Sequence, residues 1–257
     1  MRVVFVGVGE AFDHLLPTCS VLLMTRAGGV PRTMLLDCGF TTPYAYFREA
    51  PPEAPPLELD ALYLSHFHGD HFFGVPALLL RFHEEGRRKP LVIVGQDQVE
   101  DKVLAALDLA YPGLWLKFSY QLDFVVAREG LSRHILGFDL DFAHSEHSLS
   151  NLAVRVSDGG KVVFYSGDGR PTEASRRLAQ GVDLMIHESF SLDPDVPGHG
   201  TVPGSIAMAR EVGAKRLAIV HVRREVRHPL REVILDLCRQ AGDVRAFLPE
   251  PGEVVEV

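Results

Sequence analysis

Residues 64–71 read Leu-Ser-His-Phe-His-Gly-Asp-His, placing His66, His68, Asp70 and His71 within six positions. Imidazole and carboxylate are ligands that zinc accepts. The apolar run at 59–64 reads as a buried strand leading into this cluster. On extended backbone, alternate side chains face the same way, so His66 and His68 address one point. The chain must then turn at Gly69, where the missing side chain eases the backbone. Asp70 and His71 can then face a second point nearby. The pattern offers two nitrogens to one ion, and an oxygen with a nitrogen to another. The competing reading, a histidine-rich surface loop, does not account for this spacing at the end of a buried strand.

The surrounding pattern supplies elements to hold such a cluster. Strands are expected over residues 1–8, 21–24 and 33–37, with Gly28 and Gly29 as a turn and a proline-rich loop at 51–56. After the 59–64 strand, a helix at 75–85, a strand at 91–94 and a helix at 98–108 follow. The second half repeats the plan. Strands are expected at 122–126, 134–144, 152–156, 161–165, 183–186 and 216–220, with helices at 172–179, 203–212 and 229–240. Strands lead in each half and helices come later, which suits two sheets packed face to face with helices outside. No linker divides the 257 residues, so one domain spanning 1–257 is expected.

Composition narrows the function classes. The chain is 46% hydrophobic, enough for a large core, and 23% charged, as in ordinary globular proteins. No stretch approaches the roughly 18 apolar residues of a membrane span, and the opening residues read as a strand rather than a signal peptide. A net charge of −8 argues against tight general binding of long nucleic acid, which needs many cationic contacts to phosphate. Three scattered cysteines form no CxxC pair and fit a reducing, cytoplasmic setting.

The spacing His66-x-His68-x-Asp70-His71 resembles the HxHxDH signature of the metallo-β-lactamase superfamily. Later positions match in the same order. His147, in Glu146-His147-Ser148-Leu149, resembles the family's third histidine. Asp168, in Tyr165-Ser166-Gly167-Asp168, resembles its bridging aspartate, and His221, after Ala218-Ile219-Val220, its last ligand. The resemblance implies a four-layer αββα sandwich with two divalent ions at one edge. One ion would be held by His66, His68 and His147, the other by Asp70, His71 and His221, with Asp168 bridging. His144 is a nearby rival for the third histidine. An all-histidine first site points to Zn2+, and the bridging carboxylate leaves room for Mn2+. Redox di-iron relatives carry a glutamate where this chain has His68.

Further segments resemble the ribonuclease Z-like phosphodiesterase branch. Asp183-Leu184-Met185-Ile186-His187-Glu188-Ser189-Phe190 is similar to DLLIHEATF, and Gly198-His199-Gly200-Thr201 to GHST. Leu35-Leu36-Asp37-Cys38-Gly39 and Phe73-Gly74-Val75-Pro76 are similar to the family's LFDCGEG strand and FGLPG helix start. The resemblance implies that Asp70, Glu188 and His199 take direct part in catalysis, with Glu188 and His199 delivering a proton to the leaving group. Asp37 is either a turn residue or a support for a ligand. Only twenty residues separate His147 from Asp168, so the branch's long tRNA-gripping arm is absent. The terminal HxSxRY pattern is also replaced, by His221-Val222-Arg223-Arg224-Glu225. The expectation is therefore a hydrolase of a small or cyclic phosphodiester, with Arg223, Arg224 and Arg227 available to steer phosphate. The resemblance also suggests a homodimer. Rival readings are a thioester, ester or lactam hydrolase on the same fold, a tRNA 3′-processing endonuclease, and a non-catalytic metal-binding protein.

Overall fold

The computed structural model describes residues 1–194 and 196–257. The chain lays down β1 (Arg2–Gly7), β2 (Ser20–Ala27), β3 (Val30–Leu36), β4 (Ala61–Leu64), β5 (Leu91–Gly95) and β6 (Leu122–Val126) in one sheet. It then forms β7 (Ser132–Ile135), β8 (Phe138–Ser145), β9 (Asn151–Ser157), β10 (Val162–Tyr165), β11 (Leu184–Glu188), β12 (Arg216–Val220) and β13 (Arg245–Phe247) in a second. It returns with β14 (Val254–Glu256) to pair with β1. The strand orders are β14-β1-β2-β3-β4-β5-β6 and β13-β12-β11-β10-β9-β8-β7.

Period-2 alternation with apolar residues on both faces explains the layering. Val3 and Phe5 point inward and pack with Tyr63, Phe138, Val154, Tyr165 and Ile186 between the sheets. Val4 and Val6 point outward beneath α1 (Thr42–Glu49), the one-turn α2 (Gly69–Phe72), α3 (Val75–Glu84) and α4 (Val99–Ala110). On the far side, Phe164, Met185, Leu217 and Ile219 pack under the second helical layer. That layer contains α5 (Glu173–Leu178), α6 (Val202–Glu211), α7 (Arg224–Arg227) and α8 (Arg231–Arg239). The result is the expected αββα sandwich.

Local chemistry sets the boundaries. The Thr201 hydroxyl caps α6 by accepting from the Gly204 N–H at 3.0 Å. Thr172 and Ser175 form a reciprocal capping box on α5. The expected long strand at 134–144 is a hairpin instead. Leu136 and Gly137 both have positive φ, 51° and 98°, which is the backbone of a tight two-residue turn between β7 and β8. The helix expected from residue 98 begins at Val99 because Gln98 is left-handed, with φ 68°.

Strands β3, β4, β5 and β6 run parallel, as do β10, β11, β12 and β13. The C-terminal ends of β4, β10, β11 and β12 deliver residues 66, 168, 188 and 221 to one edge of the sandwich. Among the described residues, no helix is long and apolar enough to cross a membrane.

Candidate metal centre

Two donor groups form at that edge. In the first, His66, His68, His147 and Asp168 place their ligand atoms within 4.8 Å of one another; in the second, Asp70, His71, Asp168 and His221 do so. His66 Nε2 and His147 Nε2 each lie 3.0 Å from His68 Nδ1. Nitrogens about 2.0–2.1 Å from a shared tetrahedral ion stand only slightly farther apart than this. In the second group His221 Nε2 is 3.1 Å from Asp70 Oδ2, and His71 Nε2 is 3.5 Å from the same oxygen.

Asp168 belongs to both groups, and its two oxygens divide between them. Oδ1 is 3.3 Å from His71 Nε2 and 3.6 Å from His221 Nε2. Oδ2 is 3.9 Å from His66 Nε2 and 3.8 Å from His147 Nε2. His71 Nε2 and Asp168 Oδ1 are buried with no hydrogen-bond partner. Buried polar atoms rarely stay unpaired, and these two face each other inside a ring of metal-ligand types. The residues therefore fit a pair of divalent cations.

The outer partners fix each ring. Asp37 is fully buried and left-handed, φ 60°. Its carboxylate accepts from Ser65 N–H, Ser65 Oγ and Tyr165 Oη at 2.7 Å each, and from His71 Nδ1 at 2.8 Å. With Nδ1 so held, His71 must aim Nε2 at the site. Asp37 therefore contacts a candidate ligand directly, and through Tyr165 it ties the first sheet to the strand that leads to Asp168. His147 Nδ1 donates to Gly198 O at 2.8 Å, which turns its Nε2 inward. His144, the rival in sequence, points elsewhere: its Nδ1 is 3.3 Å from Asn151 O. His221 also has positive φ, 55°, and its N–H donates to Val8 O at 2.9 Å. Strained backbone of this kind persists only where the surroundings enforce it.

One glycine lets separate segments approach. Gly167, φ 57°, lies where a Cβ would sit 2.3 Å from Asn151 Oδ1 and 2.7 Å from Ser65 Cβ. Gly69 keeps ordinary φ and starts α2. The backbone freedom expected from sequence is therefore not used there, and a Cβ would meet only the ring of exposed Phe73, at 2.9 Å.

Electrostatics separate the groups. Burial, then the neighbouring His71, push His66 well below the ordinary histidine value; burial and His147 lower His68. For His71 burial acts downward, but Asp168, Asp70 and Asp37 overcome it and hold the ring well above that value. His221 likewise resists its burial and is raised to about 9 by Asp168 and Asp70. Burial works against ionisation of both aspartates. His71 and His221 nevertheless keep Asp70 and Asp168 far below the usual carboxylate range.

Comparison with known proteins places this arrangement. The family model described as "Anti-Pycsar protein Apyc1" matches residues 1–207. The chain belongs to that family. The matched stretch contains every candidate ligand except His221. Ribonuclease BN of Salmonella typhi is 27% identical over 280 residues, covering 86% of this chain and 89% of that protein. The metallo-β-lactamase fold protein YhfI from Bacillus subtilis superposes with a TM-score of 0.80 at 22% identity, covering 99% of each chain. Human tRNase Z, short form, gives 0.77 at 22% identity, over 100% of this chain and 99% of that one. The fold is thus the metallo-β-lactamase fold. In this member of the family, only the β9–β10 hairpin lies between His147 and Asp168, with no inserted arm.

Glu188 and His199 stand beside the second group, and together with His221 they form a third cluster of ligand types. Glu188 is fully buried. Gly169 and Gly200 donate their N–H groups to its Oε1 at 2.9 and 2.8 Å, and Phe190 donates to Oε2 at 3.1 Å. His199 Nδ1 is 3.5 Å from Oε1, within ion-pair reach, but it makes no hydrogen bond there. Its ring stacks on Phe190 at 4.5 Å and meets His147 edge-on at 5.0 Å.

Two of the arginines expected to steer phosphate are engaged elsewhere. Arg224 pairs with Glu10 at 2.8 Å and Glu225 at 2.7 Å. Arg227 is buried, donates to Pro249 O at 2.7 Å and sits 3.3 Å from Glu250. Sequence reasoning missed Glu10 and Asp13, two buried carboxylates in the β1–β2 segment. Asp13 lies 2.9 Å from His228 Nε2. Their only signal was acidic residues in an otherwise apolar stretch.

Proposed function

We propose that the chain, acting as one unit over 1–257, is a dinuclear metal-dependent phosphodiesterase for small or cyclic phosphodiesters. The observation that supports this most is Asp168, one carboxylate whose two oxygens address two separate buried donor groups. His66, His68 and His147 would hold one ion, Asp70, His71 and His221 the other. The nitrogen-rich first group suits zinc, and the carboxylates of the second also suit manganese. Divalent ions held there would supply Lewis-acid activation of water and of the phosphoryl group.

The protein's own groups supply the rest. Asp37 and Gly198 fix the ring orientations of His71 and His147. Asp70 Oδ2, between His71 and His221, is placed to orient an attacking water. His199 delivers a proton to the departing oxygen, and the Glu188 carboxylate 3.5 Å from its Nδ1 is within reach to orient the ring. The absent arm and the net charge of −8 favour a small substrate over a polynucleotide.

The test is metal analysis of the purified protein, with assays of bis-p-nitrophenyl phosphate, a thioester and a β-lactam in the same buffers. Two ions per chain and diester cleavage are expected. Two ions with only thioester or lactam turnover would retain the centre and overturn the phosphodiesterase reading.

A further inference from the structure

In the second donor group, Asp37 orients His71 and reaches across the sheets to Tyr165. The first group poses the same problem. His66 follows β4 in one sheet, and His147 lies in the β8–β9 connection of the other. Something must hold these two segments at a fixed separation if their rings are to share an ion.

Gln96, directly after β5, makes that link. It is 9% exposed, and its Nε2 lies 2.6 Å from both Ser65 O and Ser150 O. A primary amide nitrogen carries two hydrogens, so each carbonyl receives one. Ser65 immediately precedes His66, and Ser150 comes three residues after His147. Ser65 O also accepts from the Leu152 N–H at 3.1 Å. The carbonyl is therefore held from two directions, and the Ser65 backbone is fixed.

The effect reaches the His66 ring through the Ser65 hydroxyl. Its Oγ is 2.7 Å from Asp37 Oδ2 and 3.0 Å from His66 Nδ1. A hydroxyl has one hydrogen, and a carboxylate only accepts. That hydrogen goes to Asp37, so the Ser65 oxygen accepts from the His66 Nδ1–H. A neutral imidazole with its proton on Nδ1 has a free lone pair on Nε2. His66 Nε2 is the atom 3.0 Å from His68 Nδ1, inside the first group. The other tautomer would put a hydrogen where a cation must sit.

We propose that Gln96 is a positioning residue of the first donor group. By holding the Ser65 and Ser150 carbonyls it sets the spacing of the His66 and His147 segments. Through Ser65 it keeps the bare Nε2 of His66 turned to the ion. Gln96 acts through Ser65 and the backbone, whereas Asp37 bonds a ligand ring directly. The inference rests on the two-ion centre of the proposed function and is independent of the substrate.

Two measurements test it, neither of which reads activity. Long-range 1H–15N NMR of the metal-free wild type reports which nitrogen of His66 carries the proton. Anomalous scattering from crystals equilibrated with limiting Zn2+ gives the occupancy of each group separately. Gln96→Met keeps the chain length and removes both N–H donors. Gln96→Glu keeps the shape but sets oxygen against two carbonyl oxygens. Arg128→Ala is the control, because Arg128 lines the same cavity wall and pairs with Asp97 instead.

The expected results are a proton on His66 Nδ1 and an affinity of the first group about tenfold lower in Gln96→Met, at the low end for outer partners of metal ligands. Gln96→Glu should weaken that group further. The second group should be unchanged in both, and Arg128→Ala should change neither. Equal weakening of both groups, or a lower melting temperature with both occupancies unchanged, would reduce Gln96 to a packing residue and overturn the proposal. Should the variants fail to fold, the wild-type spectrum still decides, since a proton on His66 Nε2 overturns it. Wild type that takes up no ion in either group overturns the two-ion centre itself.

Discussion

The two donor groups share Asp168 yet differ in their surroundings. Around His66, His68 and His147 the nearest ionisable neighbours are other imidazoles, and burial with mutual repulsion keeps His66 and His68 short of protons. Around His71 and His221 the neighbours are Asp70, Asp168 and Asp37, and these rings hold protons tightly. A cation entering the first group would meet ready lone pairs. One entering the second would have to displace protons, so its affinity would rise with pH. The groups also differ in access, since His71 is fully enclosed while His68 is part-exposed. The difference teaches that two donor groups built around one carboxylate need not be alike in how they would take up a cation.

The largest effect expected is on the shared group. Asp168→Ala should lower bound metal below two ions per chain and reduce kcat/KM on the order of 10³-fold or more. A variant that keeps two ions and half its activity would dissolve the link between the groups. Next in size, His199→Ala should retain both ions and slow cleavage of an alkyl leaving group roughly 10²–10⁴-fold, with p-nitrophenolate release little affected. Full rate on the poor leaving group would remove His199 from the chemistry. Asp37→Ala should act on one side of the comparison. Metal affinity of the second group should fall about 10–100-fold, measured by chelator competition, and the first group should keep its ion. Equal weakening of both would mean that Asp37 serves the whole edge rather than His71.

The smallest effect concerns the metal-free protein. A histidine whose folded pKa is raised contributes stability that is fully present below its unfolded value near 6.5 and is lost as pH rises through the folded value. For His221 that window closes at about 9, and His71 shifts in the same direction. Denaturant midpoints in excess chelator should therefore fall between pH 6.5 and 9.5, and saturating metal should flatten the slope. A flat profile without metal would contradict the proton-holding character of the second group.

The contrast also explains what could be read in advance. His66, His68, Asp70 and His71 are local, and alternation followed by a turn suffices to converge them. His147, Asp168 and His221 are each one residue at the end of a different element, and nothing in their own neighbourhoods marks them. They were legible only because a resemblance supplied their order. The preference for His147 over His144 also came from the resemblance, and the tertiary contacts separate the two rings: Gly198 O turns His147 inward, whereas Asn151 O lies beside His144. The α1 helix and the edge strands β13 and β14 were not foreseen. The strands are three residues each, too short for a periodic signal, and β14 is defined by pairing with β1 across the whole chain.

By itself the sequence determined the layers, because runs with apolar residues on both faces of a strand can only be buried between a second sheet and a helix. It also determined the first metal-binding motif, because neighbouring residues fix their own relative geometry. The tertiary structure decided the rest. Parallel register brought residues 168, 188 and 221 beside 66–71. The buried Asp37 carboxylate joined the two halves through His71 and Tyr165. Arg224 and Arg227 were drawn to carboxylates rather than to an open site. These outcomes depend on distances between residues far apart in the chain, which local pattern does not encode until packing sets them.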